Sequence, residues 1–293
     1  MTEKPHHPDP HSVSAFTLLP PQSAQTAVIF ASPHSGAHYP ESLQRRSVLN
    51  MMQLRSSEDA FVDRLLASAP RYGAAVIAAQ YPRAWVDLNR AEDELDSALI
   101  AGLERSHPGP RVAAGLGVIP RVVSGGRAIY RGKIAQIEVA ARLNHVWRPY
   151  HAALGDLLTQ THQRQGQAIL IDVHSMPSEA LDSLGARRPR IVLGDRYGAS
   201  AARPLVAQIE SVFAAEGLAV SRNTPFAGAY ITQRYGRPRD NIHVVQIEID
   251  RALYMDEERV EPSEDFHAFS ALMERAIAQI CAIGAQPMRM AAE

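Results

Sequence analysis

The sequence predicts an α/β fold, with a mostly parallel sheet covered by helices on both faces. Three observations predict it. Apolar runs of strand length alternate with helix-like stretches along the chain. Runs such as "AILIDV" at 168–173 are apolar at nearly every position, as strands buried on both faces must be. A chain of 293 residues with 46% hydrophobic content can also bury a large core.

The elements follow in chain order. The opening "MTEKPHHPDPHSVSAF" is Pro-rich and lacks the apolar centre of a signal peptide, so residues 1–20 are expected to form a short mobile leader before a single domain over 21–293. Strands are expected at 26–31, 74–79, 84–88 ("AWVDL"), 168–173, 190–194, 217–221 and 243–249 ("HVVQIEI"). Helices are expected near 57–69, 133–147, 150–164, 199–215 and 265–283, with Pro149 separating the second from the third. Residues 92–130, rich in Gly and Pro, form the longest excursion from the sheet, and such excursions often build sites.

Composition excludes several classes. A formal charge of −1 gives no electrostatic footprint for nucleic acid or an anionic membrane. The single cysteine, Cys281, rules out an intramolecular disulfide and suits a reducing compartment. No apolar run approaches the ~20 residues that span a bilayer. The expectation is a soluble cytoplasmic protein acting on a small molecule; the sequence does not set an oligomeric state.

In such sheets ligands collect at the carboxyl edge of the strands. Four expected strands give out there onto side chains that can do chemistry: His34 after 28–31, Asn89 and Arg90 after 84–88, His174 after 168–173, and Glu248 within 243–249. In "LIDVHS", alternation puts Leu170, Asp172 and His174 on one side. Asp172 can then orient the imidazole, as carboxylates orient metal-bound histidines, or it can pair locally. His38 mimics a His-x-x-x-His chelate, but Gly36 and Pro40 oppose a helix there. His6, His7 and His11 lie in the leader and could make only a loose metal site. In "RSSEDAFVDRLL", Ser56 and Asp59 have the spacing of a capping box for helix 57–69, and spacing alone favours that role over metal ligation. Arg90, ending "WVDLNR", either pairs with Asp87 or, beside Asn89, forms a fork for a carboxylate. In "QIEID", Glu248 faces away from Val245, Ile247 and Ile249, and it belongs to a site only if the strand is covered.

The motifs "ASPHSG", "EDAFVD", "RAWVDLNR", "IDVHSMPS", "GDRYG", "FAGAYITQRYG" and "VVQIEIDRALYMDE" stand in the order seen in the N-formylglutamate amidohydrolase family, and the resemblance covers about residues 28 to 260. It implies a three-layer sandwich with a mixed central sheet, similar to zinc carboxypeptidases and aspartoacylase, holding one zinc ion at the carboxyl edge. The ligand order of that relationship, His, acid, His, falls on His34, Asp59 and His174, with Glu58 as the rival acid. The chain departs from the family at Asp59-Ala60-Phe61 and Gly228-Ala229-Tyr230, where members often read Asp-Trp-His and Gly-Gly-Tyr.

The chemistry implied by the resemblance is hydrolysis of the amide of N-formyl-L-glutamate or a similar small N-acyl amino acid, a step of histidine degradation. Two imidazoles and a carboxylate leave zinc a coordination position for water and bring that water's pKa toward ~7. Glu248 would move the water's proton to the departing amine, and Arg83 would stabilise the oxyanion. Asn89, Arg90 and Tyr230 would bind substrate. The alternatives are a related deacylase or peptidase on larger acyl or peptide substrates, or a metal-free binding protein on the same fold.

Overall fold

The inner strands of the central sheet, Val28–Ser32, Ala75–Ala79, Ala168–Met176 and Ile242–Asp250, are buried at every position, so each must be apolar on both faces or satisfy its polar groups internally. The computed structural model describes residues 13–23, 25–104 and 109–285. It contains β1 (Phe16–Leu19), β2 (Val28–Ser32), β3 (Ala75–Ala79), β4 (Ala168–Met176), β5 (Ile191–Gly194), β6 (Val220–Arg222) and β7 (Ile242–Asp250), in a sheet ordered β1-β3-β2-β4-β7-β5-β6. The central four, β3, β2, β4 and β7, are parallel. β1 runs antiparallel to β3 and β5 antiparallel to β7, which makes the sheet mixed.

Alternation sends the side chains into two cores. Val28, Phe30, Ile169, Ile171, Val245 and Ile247 join Leu205, Ile209, Phe269 and Ile277, from helices Arg203–Ala215 and Phe266–Gly284, on one face. Ile29, Leu170 and Val244 join Tyr150, Leu154 and Leu158, from helix Arg148–Gln165, on the other. These layers confirm the expected three-layer α/β architecture.

Four expectations change. Phe16–Leu19 pairs antiparallel with β3, so part of the expected leader is an edge strand; residues 1–12, with His6, His7 and His11, lie outside the described residues. The run 84–88 forms no strand. Pro82 starts a turn whose carbonyl accepts from Trp85 N and Val86 N, and both edges of β3 are already taken by β1 and β2. The expected helix 57–69 shrinks to Val62–Leu65 followed by a 3₁₀ turn at Ala69–Tyr72. Finally, Pro149 does not separate two helices, because a π-helical stretch, Leu143–Trp147, links Gln136–Arg142 to Arg148–Gln165. A proline near the start of a helical segment, preceded by a wider turn, can be carried without a break.

Candidate active site

On the second face the apolar rows stop at one level of the sheet. β4 pairs with β7 so that Leu170 lies opposite Val244, Asp172 opposite Gln246, and His174 opposite Glu248. Glu248 therefore sits on a covered interior strand, which meets the condition for it to belong to a site. The residue row that feeds the core below thus presents two carboxylates, an amide and an imidazole above.

β2 delivers His34 beside them, its ring 4.7 Å from that of His174. The capping role of Asp59 is overturned: Ser56 donates instead to Gln53 O at the end of helix Met51–Arg55, and Asp59 turns inward. Its Oδ2 lies 3.0 Å from His174 Nδ1 and 3.5 Å from His34 Nδ1. Its Oδ1 accepts from Arg251 Nη2 at 3.2 Å and Ser175 Oγ at 3.3 Å. Glu58, by contrast, is turned away, held by Arg55 in two hydrogen bonds and by the Tyr39 hydroxyl.

Each imidazole is backed on its far side by a carboxylate. His34 Nε2 donates to Asp87 Oδ1 at 2.7 Å, and His174 Nε2 donates to Asp172 Oδ2 at 3.1 Å, the orientation that alternation in "LIDVHS" allowed. Burial opposes charge on His174, but Asp172 and Asp59 outweigh it and hold the imidazole well above its usual value. Burial likewise opposes charge on Asp59, yet the two histidines bring its carboxyl well below the ordinary range. Burial, chiefly, pushes Glu248 up to about 7, with Asp59 adding to the rise and His174 opposing it.

The segment after Pro82 gathers on Asp87. Its carboxylate accepts from His34, from Arg83 Nε and Nη2, and from Asn89 N. The structural pair at Asp87 is thus made by Arg83. Arg90 donates instead to Asn89 O and Leu116 O, and enters none of the ion pairs among the described residues. Asn89 accepts from Ile231 N through Oδ1 and places Nδ2 3.1 Å from His174 Nε2. Helix Arg148–Gln165 and the residue before it hold this segment: Trp147 Nε1 donates to Arg90 O, and His151 Nε2 donates to Leu88 O.

These side chains open onto a cleft with two lobes, of about 490 and 380 Å³. Arg83, Arg90, His174, Phe226 and Glu248 form the wall common to both. The smaller lobe adds His34, Asn89, Arg111 and Gln246. Tyr230 lines neither lobe; its ring packs against Trp147 and His151. The excursion 92–130 does build the site, supplying Arg111 to one lobe and Leu116 with Val122–Gly126 to the other.

Sequence reasoning missed Asp87 as a hub, Arg251 and Arg111. Arg251 follows directly on β7, so the strand-end logic that found Arg90 would also have found it. Arg111 lies in a short helix, Pro110–Ala113, with no pattern to mark it.

His34, Asp59 and His174 are all buried, each with a ligand atom within 4.8 Å of the others. His34 Nδ1 is buried without a hydrogen-bond partner among the described residues. A buried imidazole nitrogen left unsatisfied is costly, and a cation between it, His174 Nδ1 and Asp59 Oδ2 would satisfy it. The donor set therefore fits a metal ion.

Acidic and basic groups held out of solvent around a small-molecule cleft define an enzyme, and proton-transfer groups beside a possible metal site suit hydrolysis. The family narrows that class. The sequence model of the N-formylglutamate amidohydrolase family matches residues 26–255. The N-formylglutamate deformylase of Pseudomonas aeruginosa is 33% identical over 79% of this chain and 83% of its own length. That of Pseudomonas putida is 31% identical over 78% and 82%. The crystal structure of N-formylglutamate amidohydrolase from Ralstonia eutropha JMP134 is 34% identical and gives a TM-score of 0.87, over 93% of this chain and 99% of that one. The chain belongs to the N-formylglutamate amidohydrolase family, as its motifs implied.

Proposed function

We propose that this protein hydrolyses N-formyl-L-glutamate to formate and L-glutamate, with one zinc ion held by His34 Nδ1, His174 Nδ1 and Asp59 Oδ2. The observation that carries this reading is the convergence of those three buried atoms beside Glu248 on the wall common to both lobes. Zinc in such a site supplies a Lewis acid and lowers the pKa of water. The remaining work falls to the chain.

Glu248 accepts the proton of the attacking water and returns it to the leaving amine nitrogen. Its value near 7 suits both halves of that cycle. Gln246 Nε2 donates to Glu248 Oε1 at 2.8 Å, which fixes the carboxylate and leaves Oε2 for the proton. Arg83, its Nε and Nη2 tied to Asp87, holds a rigid positive charge toward the developing oxyanion. Arg90 and Arg111 in the smaller lobe match the two carboxylates of glutamate, and Arg90, with Asn89 beside it, takes the α-carboxylate. Tyr230 has no part in this reading, since it lines neither lobe and its half-buried ring packs against Trp147 and His151.

The test is amine release from N-formyl, N-acetyl and N-succinyl glutamate by the purified protein, before and after chelation. Cleavage of the formyl compound that disappears with chelator and returns with zinc is expected. Failure to cleave N-formyl-L-glutamate with zinc present would refute the assignment.

A further inference from the structure

A formyl group is a single carbon, and the larger lobe is far too big for it. With the amino acid placed among Asn89, Arg90 and Arg111, the scissile amide lies at the common wall and the acyl group enters the other lobe, of about 490 Å³. That lobe is walled by Leu116, Pro120, Val122, Val123, Met176 and Phe226. Its charged groups away from the common wall are already engaged. Arg251 donates to Ser175 Oγ, Ser56 O and Asp59 Oδ1, and Asp87 and Asp59 are held by the partners described above. Most of what remains to meet a ligand is apolar surface, with Ser57 and Ser124 beside it.

We propose, building on the amino-acid placement above, that the larger lobe is an acyl-chain site, and that this protein also hydrolyses N-acyl-L-glutamates with unbranched aliphatic chains of about four to six carbons. The reaction balances as amide plus water giving a fatty acid and glutamate. Phe226 stands at the junction of the lobes, where it meets the first methylenes of the chain, and its ring is anchored against Met176, Leu181 and Val192. Val122 lines this lobe outside the common wall.

The experiment compares N-formyl-, N-acetyl-, N-butanoyl- and N-hexanoyl-L-glutamate by kcat/KM on the zinc-loaded protein. Buried methylenes raise kcat/KM by up to about fourfold each. The N-hexanoyl compound is therefore expected to exceed the N-acetyl compound by at least threefold; a smaller ratio overturns the proposal. Val122→Trp is expected to remove that advantage while leaving N-formyl-L-glutamate within about threefold of wild type. A Val122→Trp protein that keeps the advantage also overturns the proposal, and the smaller change Val122→Phe takes its place should the first variant not fold. Calorimetric binding to Glu248→Gln gives a readout without turnover, and tighter binding of N-hexanoyl- than of N-acetyl-L-glutamate is expected. The two readings fail differently. If N-formyl-L-glutamate is not cleaved, the deformylase assignment falls and binding alone decides the lobe; if only the longer chains fail, the acyl site falls.

Discussion

The carboxyl halves of β4 and β7 and the segment 83–90 deliver equal shares of this site by different physics. On the strands, backbone register places the residues. His174 lies opposite Glu248 because Leu170 lies opposite Val244 four pairs below, and the whole ladder is locked by core packing. In the segment 83–90 no ladder exists, and one buried carboxylate, Asp87, does the placing. A strand-borne residue can be changed with little effect on its neighbours. Changing Asp87 releases His34, Arg83 and Asn89 together.

The largest contrast is expected between Glu248→Gln and Asp87→Ala. Glu248→Gln keeps shape and hydrogen bonding but removes the base, so turnover should fall by ~10² or more with an unchanged melting temperature and metal content. A variant with wild-type turnover would place Glu248 outside the chemistry. Asp87→Ala should lower turnover and also destabilise the fold by about 3 kcal/mol, since it leaves buried His34 and half-buried Arg83 without their carboxylate. Urea denaturation reads that difference, and equal stability of the two variants would break the comparison.

A finer effect is expected within the segment itself. Arg90→Lys keeps the charge but loses the planar fork, so kcat/KM for N-formyl-L-glutamate should drop by ~10-fold or more. The variant should also discriminate less than wild type against a substrate whose α-carboxylate is a neutral amide. Equal discrimination by both proteins would move Arg90 from that carboxylate to another role.

The smallest effect concerns what holds the segment from behind. His151 is neutral: Nε2 donates to Leu88 O, Nδ1 accepts from the Tyr235 hydroxyl, and burial pushes its pKa down to about 4. The unfolded chain binds this proton from about 6.5 downward. The folded state does so only near 4, so stability is lost as pH falls through that window. His243 adds to the same loss, its value also pushed down to about 4 by burial. Glu248 acts the other way, because its folded value of about 7 lies above its unfolded one and the folded state binds that proton more tightly. The check is therefore a difference: between pH 7 and pH 5 the melting temperature of His151→Gln should fall less than that of wild type by about 3 °C. An unchanged slope in that variant would remove His151 from the account.

The same contrast explains what could be read from the sequence. His174 and Glu248 were legible because period-two alternation is written into the strands themselves, and it places Asp172 behind His174 without any tertiary information; His34 was legible because an apolar strand gives out just before it. The run 84–88 has strand composition, and only the occupied edges of β3 show that it has nowhere to pair. Spacing alone makes Asp59 a helix cap for a similar reason. Ser56 and Asp59 have cap spacing, but the backbone bond from Asp59 N to His34 O turns that residue toward the site, and this bond joins segments far apart in the chain. Arg111 reaches the cleft only because the excursion folds back over the sheet.

The central claim is that His34, Asp59 and His174 hold one metal ion, and elemental analysis of protein purified without chelator tests it most directly. About one zinc per chain is expected in wild type and in Glu248→Gln, with little in folded His34→Ala or His174→Ala. Equal metal content in wild type and both histidine variants, all folded, would contradict the account.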